Sequence, residues 1–200
     1  MELTKKDLKY KELPGFLSEK QLFEHESLYA GYVKKTNTIR SALKNVDRSA
    51  ANATFSDIRE LKVEETFAVN GVKLHEGYFW NMIADGKEAS GTIADWIAVD
   101  FGSVDAWKED LLACALSARG WVVLSFDLDT GKLHNIVCDL HNQGGIWNSV
   151  ALLVLDVYEH AYFVDYATGR KKYVDGFLQH IDWDEVNNRI KTFDLAKFRK

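Results

Sequence analysis

From Asp156 to His160 the chain reads DVYEH, which puts two carboxylates and an imidazole within five residues. They follow directly on VALLVL, an apolar run from Val150 to Leu155 of the kind that forms a buried strand. Burying a carboxylate beside an imidazole is costly unless the two are paired or hold a metal ion. Asp156 and His160 are four apart, which places both on one face if a helix begins where the strand ends. Two more histidines sit among aromatics, His25 in FEHESLY and His75 in LHEGYFW. Three imidazoles and one aspartate would make a nitrogen-rich site with an open position, suited to iron, manganese or zinc. Asp156 and His160 could equally form a simple hydrogen-bonded pair. His134, just past a turn, and His180, near a helix end, read as structural or solvated.

Such a site needs elements that bring distant segments together. Ser18 offers an N-cap, and from Leu22 the apolar residues Leu22, Phe23, Tyr29, Tyr32, Val33, Ile39, Leu43 and Val46 recur near helical spacing. DRSAANATFSD breaks that pattern, and a second helix is expected from about Phe55 to Ile83, interrupted near Val69-Asn-Gly71. The two helices make a long hairpin. DGKEASG reads as a linker, TIADWIAVDFG as a helix closed by Gly102, and Ser103 as the cap of the next helix. GWVVLSFDLDTGKLHNIVCDL then reads as two strands joined at Asp129-Thr-Gly131, VALLVLD as a third, and YVDGFLQHI and WDEVNNRIKTF as closing helices. The order predicts an α+β fold: a long N-terminal helical hairpin over residues 1–88, then an α/β lobe over 89–200 with a three-stranded antiparallel sheet flanked by helices. The site is expected between the two.

Composition sets the limits. At 200 residues, 46% apolar and 28% charged, the chain is an ordinary globular domain or two lobes sharing a core. A formal charge of −5 argues against general affinity for nucleic acid or an anionic membrane. With no apolar run of about 18 residues there is no spanning helix to expect, and MELTKKDLKYKELPG has no hydrophobic signal core. Cytoplasmic residence is the expectation. Cys114 and Cys138 fit no metal spacing and are expected to be reduced.

LDVYEHAYFVDY, with YVDGFLQHIDWDEVNNRI after it, resembles the iron/manganese superoxide dismutase family, whose hallmark is Asp-x-Trp-Glu-His-Ala-Tyr followed by Asn-Trp-x-x-Val. LPGFLSEKQLFEH, HEGYFWNM, FGSVDAWKED and GWVVL agree in order, so the resemblance spans nearly the whole chain. It implies one iron or manganese ion per subunit, held by three histidines and an aspartate with a solvent molecule completing the site. Asp156 and His160 carry over directly. Counting forward from Ser18 gives His25 as the first helical ligand, whereas counting back from Tyr32-Val33 gives Glu24; His75 and Glu76 compete in the same way. His25 and His75 are preferred, with a one-residue deletion after His25. Two glutamates plus Asp156 would place three negative charges on the ion and hinder redox cycling.

The same resemblance implies disproportionation of superoxide into oxygen and peroxide, with Tyr32 at the substrate entrance and either His141 or Gln143 holding the solvent. A second donor of that kind tunes the reduction potential. Trp121, Tyr158 and Phe79 would form the aromatic shell. Glu159 would reach across a two-fold axis to the partner's ligand histidine, making a homodimer; pairing of dimers into tetramers stays open. Departures fall on the gateway. Tyr158, Phe79 and Phe163 stand where the family has Trp, Trp and Tyr, and Tyr29 stands where it has a gateway histidine. These motivate an alternative: a metal-binding protein of this fold with an altered site, acting on another oxygen-derived substrate or inactive.

Overall fold

A computed structural model describes residues 2–200. Helix α1 spans Glu19–Asn45, and the Ser18 hydroxyl caps it by accepting from the Gln21 N–H at 3.1 Å. Helix α2 spans Asp57–Trp80 with Ser56 as its cap. The expected interruption near Gly71 is absent. One glycine weakens a helix by about 1 kcal/mol but does not break it, and here the Tyr32 ring lies against the bare Gly71 backbone. Both arms of the hairpin are therefore unbroken helices.

Helix α3 spans Thr92–Phe101 and α4 Val104–Ser117. Gly102, at φ +88°, ends the first in a conformation that favours glycine, and the Ser103 side chain caps the second. Strands β1 (Trp121–Asp127), β2 (Lys132–Cys138) and β3 (Ser149–Asp156) form an antiparallel sheet in the order β2-β1-β3. The central strand is buried almost throughout. Its register sets Trp121 opposite both Cys138 and Asp156. Helices α5 (Phe163–Tyr166), α6 (Arg170–Leu178) and α7 (Trp183–Thr192) complete the α+β arrangement.

The chain leaves β3 through a 3-10 turn over Glu159–Ala161 and not an α-helix. Helix α2 lies close on β3. A Cβ at Gly77 would meet Val154 at 2.7 Å, and the Asn81 side chain accepts from the Val154 N–H at 2.7 Å. Cys114 and Cys138 are free. No helix among the described residues is long and apolar enough to cross a membrane.

Candidate metal centre

The structure brings His25, His75, Asp156 and His160 together, with one ligand atom from each lying within 4.8 Å of the others. Asp156 is the hub. Its Oδ2 stands 3.1 Å from His25 Nε2, 3.3 Å from His160 Nε2 and 4.0 Å from His75 Nε2. Its Oδ1 accepts from the Tyr158 N–H at 2.9 Å, and its carbonyl accepts from the Tyr173 hydroxyl at 2.8 Å. The carboxylate is thus oriented from behind, by the turn that follows β3.

Each histidine has its own positioning device. His75 donates from Nδ1 to the Gly71 carbonyl one turn earlier on α2, at 2.6 Å. That bond fixes the tautomer and leaves Nε2 as a bare lone pair, buried and without a hydrogen-bond partner. His25 lies on the buried face of α1 with Leu22, Tyr29, Val33 and Thr36. His160 is held through its backbone, where Gln21 Nε2 donates to its carbonyl at 2.6 Å, while Gln21 Oε1 takes the Val164 N–H. The His160 side chain is 29% exposed, and those of His25, His75 and Asp156 are closed to solvent.

Electrostatics favour the forms a metal needs. Burial pushes the His25 imidazole below its ordinary range and His75 down to about 3, so both are neutral near pH 7. Burial alone would raise the Asp156 carboxyl, but His160 and His25 beside it hold it below the usual carboxylate range. The neutral imidazoles of His25 and His75 beside one anionic oxygen are donors suited to iron, manganese or zinc. The orphaned lone pair of His75 is a buried polar atom that such an ion would satisfy. The residues present therefore fit the ion.

Around the cluster, His141 and Gln143 part company. His141 is buried, and its Nδ1 accepts from Trp121 Nε1 at 3.0 Å. Its ring lies 4.7 Å from Tyr32, 5.5 Å from Tyr158 and 5.9 Å from His75, centre to centre. Gln143 is exposed on the loop after β2. Trp121 meets His75 edge-on at 5.1 Å, Phe79 meets His25 at 4.9 Å, and Tyr158 stacks on His160 at 5.1 Å. Tyr29 is fully buried, and its hydroxyl turns to Glu76 at 2.9 Å. Glu159 and Phe163 are exposed. Glu24 faces solvent, and Glu76 is half-buried and bonded to Tyr29.

Sequence reading missed several contributors. Gln21 and Asn81 tie the hairpin to the sheet side, and their signal is a polar residue at a position the helical pattern buries. Phe67 packs on His141 at 4.4 Å. Gly71 was visible only as a weak point in α2, whereas a Cβ there would meet the Tyr32 ring at 2.8 Å.

Residues 89–189 match the C-terminal domain of the iron/manganese superoxide dismutases. The chain is 43% identical to the iron superoxide dismutase of Aquifex aeolicus over 192 residues, which cover 94% of this chain and 90% of that one. It is 36% identical to the iron superoxide dismutase of Methanothermobacter marburgensis, covering 94% and 95% of the two chains. It is also 34% identical to a manganese superoxide dismutase of Halobacterium salinarum, covering 91% and 90%. With three imidazoles gathered on Asp156 and matches of this extent, the chain belongs to the iron/manganese superoxide dismutase family.

Proposed function

We propose that this chain dismutes superoxide to oxygen and hydrogen peroxide at one iron or manganese ion held by His25, His75, Asp156 and His160. The observation that carries the reading is the convergence of three imidazole nitrogens on Asp156 Oδ2. A redox-active ion held by these four residues would supply the one-electron chemistry that dismutation needs. The chain's own residues bind, orient and handle protons. Peroxide leaves with two protons, so the site needs donors. His141 is one: Trp121 Nε1–H occupies its Nδ1, so in the neutral ring the proton sits on Nε2, which is buried and unpartnered. Burial pushes His141 down to about 4, which keeps it neutral and able to donate from Nε2 near pH 7. Tyr32 is the second: burial first, then the Asp156 charge, raises its hydroxyl, which stays protonated. Tyr32 and Phe67, both packed on His141, also line a groove of about 790 Å³ between α1 and α2. Trp121, Phe79 and Tyr158 wall the cluster and exclude water.

The reading places the ion between an N-terminal hairpin lobe, residues 1–88, and a C-terminal lobe, 89–200. It also takes the active form to be a homodimer. His160 is the one donor open to solvent, and Phe163 and Val164 expose 47% and 46% of their surface three and four residues after it. Glu159, exposed on the same turn, would then orient His160 of the partner. The two free cysteines suit a reducing compartment, and the protein is taken to be cytoplasmic. Protein reconstituted with iron or manganese is expected to hold about one ion per chain and to accelerate superoxide decay; metal bound without decay overturns the reaction. Glu159→Ala is expected to weaken the dimer and lower metal content together, and a variant unchanged in both removes that role.

A further inference from the structure

The two helical histidines depend on the spacing between α1 and α2, because their rings stand 5.0 Å apart on different helices. One side-chain bond crosses that gap beside them. The Tyr29 hydroxyl, one turn after His25, donates to Glu76 Oε1 at 2.9 Å, and Glu76 is the residue after His75. A third group closes the link from outside. The Lys6 N–H donates to the Tyr29 hydroxyl at 3.1 Å, and the Lys6 ammonium pairs with Glu76 Oε2. Tyr29 is fully buried and its ring faces both His75 and Phe79. The hydroxyl is therefore used on both sides, as acceptor and as donor, in a ring of three residues.

Lys6 belongs to a segment outside helix and strand that contacts both arms of the hairpin. Leu3 exchanges two hydrogen bonds with the Asn37 side chain, at 2.9 and 2.8 Å. Lys5 pairs with Glu26. Further on, the Tyr10 hydroxyl donates to the Phe79 carbonyl at 2.6 Å and Lys9 Nζ to the Trp80 carbonyl at 3.1 Å. Those carbonyls belong to the last turn of α2, which has no basic residue of its own. Unpaired carbonyls and negative dipole charge gather at a helix end, so donors and a cation supplied from the segment stabilise that turn. The segment thus holds α2 at two levels, beside His75 and one turn beyond it.

We propose that Lys6, Tyr29 and Glu76 form a positioning clamp that keeps His25 and His75 at metal-binding separation, with residues 2–10 as the strap that holds the clamp shut. Its function is retention of the ion. This rests on the metal assignment above. None of the three residues touches the ion; they act through the spacing of the helices that carry its ligands.

The test follows release of manganese from reconstituted protein into excess EDTA, read by the EPR signal of the freed ion, well below the unfolding temperature. Tyr29→Phe, which keeps the ring but loses both bonds of the hydroxyl, is expected to release metal about five-fold faster or more, at least the scale of one lost hydrogen bond. Glu76→Ala is expected to be at least as fast, and the double variant no faster than Glu76→Ala alone, because both cut the same link. Ser56→Ala is the control: it removes the N-cap at the far end of α2, lowering the melting temperature without touching the clamp. Release that tracks melting temperature alike in Tyr29→Phe and Ser56→Ala overturns the clamp, as does release from Tyr29→Phe at the wild-type rate. Wild-type protein that takes up neither iron nor manganese overturns the metal assignment, and the clamp's role with it.

Discussion

The two sides of the cluster are built in different ways. On the sheet side, Asp156, Tyr158 and His160 lie within five residues, and bonds within that short stretch or to the backbone beside it set their geometry. The Tyr158 N–H holds Oδ1, Tyr173 holds the Asp156 carbonyl, and Gln21 holds that of His160. On the hairpin side, His25 and His75 sit in the middle of two long helices, and their positions follow from helix register and helix spacing. The sheet-side groups are placed by adjacency in one short stretch, which Tyr173 and Gln21 brace from outside, whereas those on the hairpin side depend on the register and spacing of two helices. Damage should differ accordingly: a change on the sheet side removes the hub, whereas a change on the hairpin side shifts a distance.

The largest expected effect is therefore at Asp156. Asp156→Asn keeps the size of the side chain but removes the only carboxylate of the cluster. Partners that merely orient ligands cost 10–100-fold when removed, so loss of the hub should lower metal affinity by more than about 100-fold. Metal content and superoxide decay should fall together. Retention of metal in Asp156→Asn would mean that the histidines alone suffice and would end the distinction between the two sides.

That distinction also governs what could be read from the sequence. DVYEH was legible because its residues are adjacent, so that spacing carries geometry. The hairpin, the β1–β2 turn at Asp129-Thr-Gly131 and the Ser18 and Ser103 caps were legible because periodicity and capping are local signals. Register was not. Whether His25 or Glu24 faces inward depends on a rotation of about 100° per residue around α1, and both residues lie in the same apolar-aromatic surroundings. His141 and Gln143 were ambiguous for a related reason: the turn after Cys138 decides which points inward, and the Trp121 indole that holds His141 arrives from another strand. The bonds from Lys6, Gln21 and Asn81 span long stretches of chain and leave no periodic trace.

Acid should test the burial of the hairpin histidines in metal-free protein. His75 is held near 3 in the folded chain, against an unfolded value of about 6.5. Above that unfolded value neither state carries the proton. Between the two values the unfolded chain binds it and the folded chain does not, so stability falls as pH falls. His75 alone should cost about 2 kcal/mol between about pH 6.5 and pH 5. His141 is also lowered, by burial, and works in the same direction. Asp156, held low, gives stability that disappears only as pH falls through and below the ordinary carboxylate range. Urea midpoints of the metal-free protein across this range check the slope, and His75→Asn should flatten it; an unchanged slope would show that the hairpin side carries no such strain.

Gly71 sharpens the comparison at the level of spacing. Alanine is the better helix former by about 1 kcal/mol, but its Cβ would meet the Tyr32 ring at 2.8 Å. The half-buried ring must move, at a cost of about 1–3 kcal/mol if it moves with strain. The net is a cost of about 0–2 kcal/mol, so Gly71→Ala should lower the melting temperature by no more than about 8 °C while lowering turnover several-fold through displaced Tyr32. A variant with wild-type turnover would show that Tyr32 needs no fixed seat against α2.

The smallest effect is the one that fixes the register. Helix α1 is unbroken from Glu19 to Asn45, and its buried face carries Leu22, His25, Tyr29, Val33 and Thr36. A one-residue rotation would turn Glu24 and Leu28 inward, yet Glu24 is exposed and Leu28 is 43% exposed. Tyr32 lies seven residues after His25, two helical turns on and only about 20° off its direction, which explains how it still reaches His141. Glu24→Ala should therefore leave metal content and turnover as they are and change stability by no more than about 0.5 kcal/mol. His25→Ala, one position along, should empty the site. Reversal of that pair, with metal lost from Glu24→Ala and kept in His25→Ala, would mean that α1 is rotated by one residue and that a glutamate faces the ion.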